Sequence, residues 1–192
     1  MNSARRYLVL TPFNHTKMIA AVSKLRGIEA VAVSTSSGVA LVRELPVPEF
    51  ADWDISELLG SSPAPEIDTL DGSGDTPESE PTELSDSPEL VASLFSELSP
   101  YGVVLITADL GDDIGTESGT SGMVNAVRFL NGRRGEDIPA GLLLNSLDPI
   151  IEALILGEEK AADLPGAITE MTLAEVEAVM ASLSADGGEA DA

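Results

Sequence analysis

Arg5-Arg6-Tyr7-Leu8-Val9-Leu10-Thr11-Pro12-Phe13-Asn14-His15-Thr16-Lys17 is the stretch whose reading decides the fold. Its first seven residues are a short β-prone run, and Pro12 with Asn14 ends it. Thr16 then caps a helix expected to reach about Arg26, with Met18, Ile19, Val22 and Leu25 at helical spacing and Gly27 just past its end. Two β-branched runs follow, Ile28 to Ser34 and Val39 to Arg43, joined by Thr35-Ser36-Ser37-Gly38. That joint is a hairpin signal, with hydroxyls available to satisfy turn backbone groups.

At Leu45 the composition changes. Pro46, Pro48, Pro63, Pro65, Pro77 and Pro81 are interleaved with Ser, Gly, Asp and Glu, a mixture with too little apolar surface to offset the entropy of ordering it. Residues 46–87 are therefore expected to be an acidic, Pro-rich insertion, largely disordered, with Ser61 to Ser87 dispensable for folding. Regular structure resumes at Ser87 as N-cap and Pro88 as first helical residue. This helix should run to about Leu98 and bury Leu90, Val91, Leu94, Phe95 and Leu98, before an apolar strand over Val103 to Thr107.

Without the insertion the order is strand, helix, strand, strand, helix, strand. This βαββαβ order predicts an α+β fold with a ferredoxin-like split βαβ core, its two helices on one face of an antiparallel sheet. Residues 1–45 and 88–107 would form the core, 108–184 a loop and helical extension, and 185–192 an acidic tail. The extension is expected to hold a helix over Met123 to Asn131, ended by Asn131-Gly132. A second would open at Asp148-Pro149 and end at Gly157. A third would start at Thr172, which forms a capping box with Glu175 and precedes the stripe Leu173, Val176, Met180 and Leu183. Leu142-Leu143-Leu144 fits either a short helix or a fifth strand.

Charge is segregated along the chain, whose net charge is −23. The basic group Arg5, Arg6, Lys17, Lys24, Arg26 and Arg43 faces only Glu29 and Glu44 in the first 45 residues, and no Lys or Arg lies between Arg43 and Arg128. Acidic stretches of this kind attract cationic partners or the chain's own basic end. The absence of Cys and the single His15 exclude thiol chemistry, disulfides and a multi-His metal centre within one chain. No apolar run approaches the roughly 20 residues needed to cross a bilayer, and Tyr7 to Leu10 is too short for an export signal. A soluble, cytoplasmic protein without membrane partners is expected.

Phe50, Trp53, Ile55, Leu58 and Leu59 form an apolar island within acid. A segment of this composition folds onto a hydrophobic groove edged by Lys and Arg, on a partner or on its own domain, where Arg5, Arg6, Lys17 and Lys24 would supply the cations. The expected function is accordingly that of a non-enzymatic binding or regulatory protein acting through protein–protein interaction, with no required cofactor. The rival reading is a metal-dependent phosphate- or nucleotide-binding protein or enzyme built on residues 109–122. There Asp109, Asp112, Asp113 and Glu117 would hold magnesium or calcium, and Gly119, Thr120, Ser121 and Gly122, at a helix start, would hold an anion. That loop lacks the Lys of a P-loop and the spacing of an EF-hand. Its plain alternative is a polar loop capping the next helix. Nucleic acid is argued against, because Val39 to Arg43 has no aromatic stacking platform and the remaining acid repels phosphate.

Overall fold

The computed structural model describes residues 4–46, 84–110 and 122–186. The chain is α+β, and its centre is a six-stranded sheet of order β2-β3-β1-β4-β5-β6 in which every neighbouring pair is antiparallel. The strands are β1 (Ala4–Thr11), β2 (Val31–Thr35), β3 (Gly38–Leu45), β4 (Val103–Leu110), β5 (Gly122–Leu130) and β6 (Arg133–Ile138). Among the described residues five α-helices accompany them: α1 (Thr16–Leu25), α2 (Pro88–Glu97), α3 (Ala140–Ser146), α4 (Pro149–Leu156) and α5 (Leu173–Asp186). Among the described residues no helix is long and apolar enough to cross a membrane.

Strand β1 lies at the centre, with Tyr7 opposite both Arg43 of β3 and Thr107 of β4. Alternate residues of a strand point to opposite faces, and here both faces are covered. Tyr7 and Val9 join one core with Ile19 of α1, Phe95 of α2 and Val176 of α5. Leu8 and Leu10 join the other with Leu144 of α3 and Ile151, Leu154 and Ile155 of α4. The unbroken apolar run of β1 thus reflects burial on both sides. The two core helices expected on one face, α1 and α2, do share it and are joined there by α5, while α3 and α4 cover the opposite face.

The caps explain the helix ends. Past α1, the Ile28 N–H donates to the Ser23 carbonyl at 2.8 Å and the Gly27 N–H to the Lys24 carbonyl at 3.1 Å, the paired bonds of a Schellman ending. They hold Ile28 against the helix, so β2 starts at Val31 rather than at Ile28. At α2 the buried face is Val91, Ala92, Phe95 and Ser96, while Leu90 and Leu98, expected inside, are exposed. Of the α5 stripe only Val176 is buried, and the capping box forms, with Thr172 N–H and hydroxyl both donating to Glu175 Oε2 at 2.8 Å.

Residues 122–130 form strand β5, which corrects the helix expected over Met123 to Asn131. Val127 and Phe129 enter one core and Ala126 the other, so the strand is apolar on both faces and lacks a clean two-residue alternation. Asn131 and Gly132 have φ of 50° and 74°, as a two-residue hairpin turn of type I′ requires. The same dipeptide ends a helix or turns a hairpin. Its partner β6 is charged and exposed, with no apolar pattern to announce it. Leu142 to Leu144 lie in α3, a helix.

Asp148 joins two elements. Its Oδ2 accepts from the Ser36 N–H and hydroxyl at 2.9 and 2.7 Å, in the β2–β3 turn, while its Oδ1 accepts from Ile150 N–H at 3.2 Å to cap α4. The Ser36 bonds, and then that from Ile150, hold its carboxyl below the usual carboxylate range. A depressed folded-state pKa means the stabilisation is present above the unfolded-state value and is lost as pH falls through the folded one. Asp148→Ala should cost about 1–2 kcal/mol at neutral pH. In urea titrations the gap from the parent should narrow once pH falls below about 4; a gap independent of pH would contradict the carboxylate's role.

Candidate functional site

Strand register brings the roots of both acidic stretches to one end of the sheet. Arg5 aligns with Leu45 and with Asp109, Ala4 aligns with Leu110, and Leu110 aligns with Gly122. The stretches 47–83 and 111–121 therefore both depart from the end of the sheet where β1 begins. Arg5 and Arg6 stand between these roots: Arg5 Nε lies 3.4 Å from Asp109 Oδ2, and Arg6 Nη2 lies 2.7 Å from Glu44 Oε1.

The chain re-enters at a 3-10 turn, Leu84–Asp86, clamped to the sheet. Arg43 on β3 donates from Nε to Asp86 Oδ1 at 2.9 Å, with Nη2 at 2.7 Å from the same oxygen, and from Nη1 to the Glu29 carbonyl at 2.6 Å. Burial alone would lower the pKa of Arg43, but the hydrogen bonds and charge of Asp86, with Glu29, raise it above the ordinary value. Beside it the Tyr7 hydroxyl donates to the Ser85 carbonyl at 2.7 Å, and Ser85 Oγ accepts from Glu29 N–H at 2.8 Å. Burial pushes the Tyr7 hydroxyl up to about 12, opposed by the Arg43 charge and reinforced by that of Asp86. Leu45 and Leu84, on the two flanks of 47–83, pack against the same core. Residues 84–87, assigned from sequence to the insertion, belong to the folded body.

Next to this clamp is a groove of about 570 Å³ at the β2 edge, within the size range of ligand sites. Strand β3 runs three residues beyond its last β2 partner, Val42 opposite Val31, so among the described residues no strand lies beside Arg43–Leu45 on the side away from β1. The floor includes Ile28, Val31, Val42, Leu154, Ile168 and Met171. Arg6, Lys24, Arg43 and Lys160 stand on its walls with Glu29, Glu44, Glu159 and Glu170. The wall opposite β3 is the segment linking α4 to α5. It passes round the sheet edge and makes a two-bond antiparallel bridge, Ala32 N–H to the Ile168 carbonyl at 3.0 Å and Ile168 N–H to the Ala32 carbonyl at 2.9 Å.

The four expected partner-binding cations do not form one surface. Arg5 and Arg6 are successive strand residues and point to opposite faces. The Arg6 guanidinium packs against Gly157, where an added Cβ would collide with it. This sets a cation at the negative end of α4. Lys17 is exposed at the start of α1, and its charge helps the Thr172 hydrogen bonds hold Glu175 below the usual carboxylate range. Lys24, at the other end of α1, lines the groove.

Phe50, Trp53, Ile55, Leu58 and Leu59 lie outside the described residues, as do Asp112, Asp113, Glu117, Gly119, Thr120 and Ser121. Asp109 is exposed and paired with Arg5, while Gly122 opens β5. Because β5 is a strand, residues 111–121 lie in sequence between two antiparallel strands. The helix N-terminus on which the anion-site expectation depended does not follow them. Among the described residues no three His, Asp or Glu side chains gather as metal ligands. His15 is exposed at the N-cap position of α1 and makes no side-chain cap bond. Sequence reasoning missed the groove residues Lys160, Ile168 and Met171 and the Asp86–Arg43 clamp. No local pattern links residues so far apart.

Two measurements probe the clamp. Arg43→Met leaves Asp86 without its ion partner and should cost about 2 kcal/mol in urea unfolding; no change would show that the clamp is ornamental. The Tyr7 pKa is raised on folding, so its contribution is complete below the unfolded value near 10 and is lost as pH climbs towards 12. Parent protein should therefore show a destabilising step in that window that Tyr7→Phe lacks. Comparisons with family models, curated proteins and solved structures return no match.

Proposed function

We propose that the chain is a non-enzymatic binding or regulatory protein, acting through protein–protein contact and presenting the acidic, aromatic segment Phe50–Leu59 from a folded base. The partner is a protein with a hydrophobic groove edged by Lys and Arg, and no cofactor is required. The observation that supports this is the clamp. Arg43–Asp86 and Tyr7–Ser85 tie the re-entry of 47–83 to the sheet beside its exit, so both flanks of the stretch that carries the segment are held by the folded body.

Exposed opposite charges in water gain only about 1 kcal/mol per close pair and are screened beyond roughly 8 Å at physiological salt. Charge therefore steers the encounter, and burial of Phe50 and Trp53 supplies most of the affinity. The cytoplasmic location expected from the sequence belongs to this proposal. So does the finer fold reading: the sheet order β2-β3-β1-β4 with α1 and α2 on one face supports a ferredoxin-like split βαβ core, extended by the β5–β6 hairpin.

The test compares capture by immobilised parent protein with capture by the Phe50→Ala/Trp53→Ala double variant, followed by titration of each captured protein. Loss of a hot-spot aromatic costs about 2 kcal/mol, so the double variant should bind the true partner more than about tenfold more weakly. The same partners held at the same affinity by both would refute the proposal.

A further inference from the structure

The groove at the β2 edge has an apolar floor and a strand edge that, among the described residues, nothing covers. We infer that its occupant is this chain's own segment Phe50–Leu59, with Phe50 and Trp53 on the floor and the segment's carboxylates towards Lys24 and Lys160. The inference rests on the proposed function, because it uses the same aromatic side chains, and it assigns their place when no partner is bound.

Reach comes first. Val42, Arg43 and Glu44 form one wall of the groove, and β3 continues from them directly to Leu45 and Pro46. Phe50 is six residues past Glu44 and Trp53 nine, spans of at most about 20 and 30 Å when fully extended. So short a tether gives a local concentration in the millimolar range. Even a weak site is then filled from within the chain before a dilute external ligand competes.

The chemistry matches as well. Residues 46–59 bring Glu49, Asp52, Asp54 and Glu57 with no Lys or Arg, alongside the only Trp of the chain. On the groove, Arg6 is paired with Glu44, and Arg43 with Asp86 and Glu29. Lys24 and Lys160 line it, and among the described residues neither has an ion-pair partner. Glu159 and Glu170 share the rim, so charge sets the orientation of the segment and apolar contact holds it.

The experiment uses the full chain, purified alone. Trp53 emission should be blue-shifted and protected from acrylamide, independently of protein concentration, and Lys24→Glu/Lys160→Glu should reduce both effects. Carbodiimide coupling, which joins a lysine nitrogen to a touching carboxyl with loss of water, gives a readout that needs no variant. Of the three lysines, Lys24 and Lys160 should couple to Glu49, Asp52, Asp54 or Glu57 within one chain. Lys17, about 10 Å along α1 from Lys24, should not couple to them. A water-exposed Trp53, coupling through Lys17 instead, or coupling only between two chains would each overturn the inference. An exposed Trp53 in a protein that still loses its partner on Phe50→Ala/Trp53→Ala would remove self-docking alone and leave the proposed function standing.

Discussion

Everything in this molecule depends on burying β1 from both sides. Tyr7, Leu8 and Val9 are fully buried and Leu10 nearly so, and each such side chain contributes roughly 1.5–3 kcal/mol by leaving water. A strand buried on one face needs one layer of helices; one buried on both faces needs two. The chain supplies the layers in sequence order: α1 and α2 on the first face, then α3 and α4 on the second. It must then return to the first face to place α5 against α1.

That return creates the groove. The link from α4 to α5 passes round the edge of β2, leaves Ala161 in the second core, bridges Ala32 through Ile168, and delivers Met171 to the first core. The bridge also covers part of an edge strand that would otherwise offer unpaired backbone groups to other chains. At the opposite edge, β6 carries Arg133, Arg134, Glu136 and Asp137 and is bulged against β5. Charge and irregularity there discourage sheet extension without a covering segment.

The surplus of negative charge is arranged around the same architecture. A net charge of −23 opposes compaction by self-repulsion, and both long acidic stretches, 47–83 and 111–121, leave from one end of the sheet. Arg5, Arg6 and Arg43 sit at their roots in ion pairs with Asp109, Glu44 and Asp86. Half of the six cations of the first 45 residues thus stand at these roots. Arg5, Arg6 and Arg43 act chiefly to hold the exits and the re-entry of the acidic chain, and of the expected binding set only Arg6, paired with Glu44, and Lys24 line the groove.

Local pattern determined much of this. The strand at Tyr7–Leu10, the helix after Asn14, the Ser36-Ser37 turn, the Pro88 and Pro149 helix starts and the Thr172–Glu175 capping box are all set by residues within a few positions of one another. Proline geometry, caps and turn hydroxyls act over that range, and a sequence displays them directly. What only the tertiary structure decided were choices between states that local chemistry stabilises equally. Asn131-Gly132 turns a hairpin because β4 offers β5 a pairing edge, and β6 follows although its own residues show no apolar face. Ser85 and Asp86 look like polar loop residues until Tyr7 and Arg43 meet them across the fold. The groove likewise combines α1, β3 and the α4–α5 link, whose adjacency follows from covering both faces of one strand and from no motif that a linear reading contains.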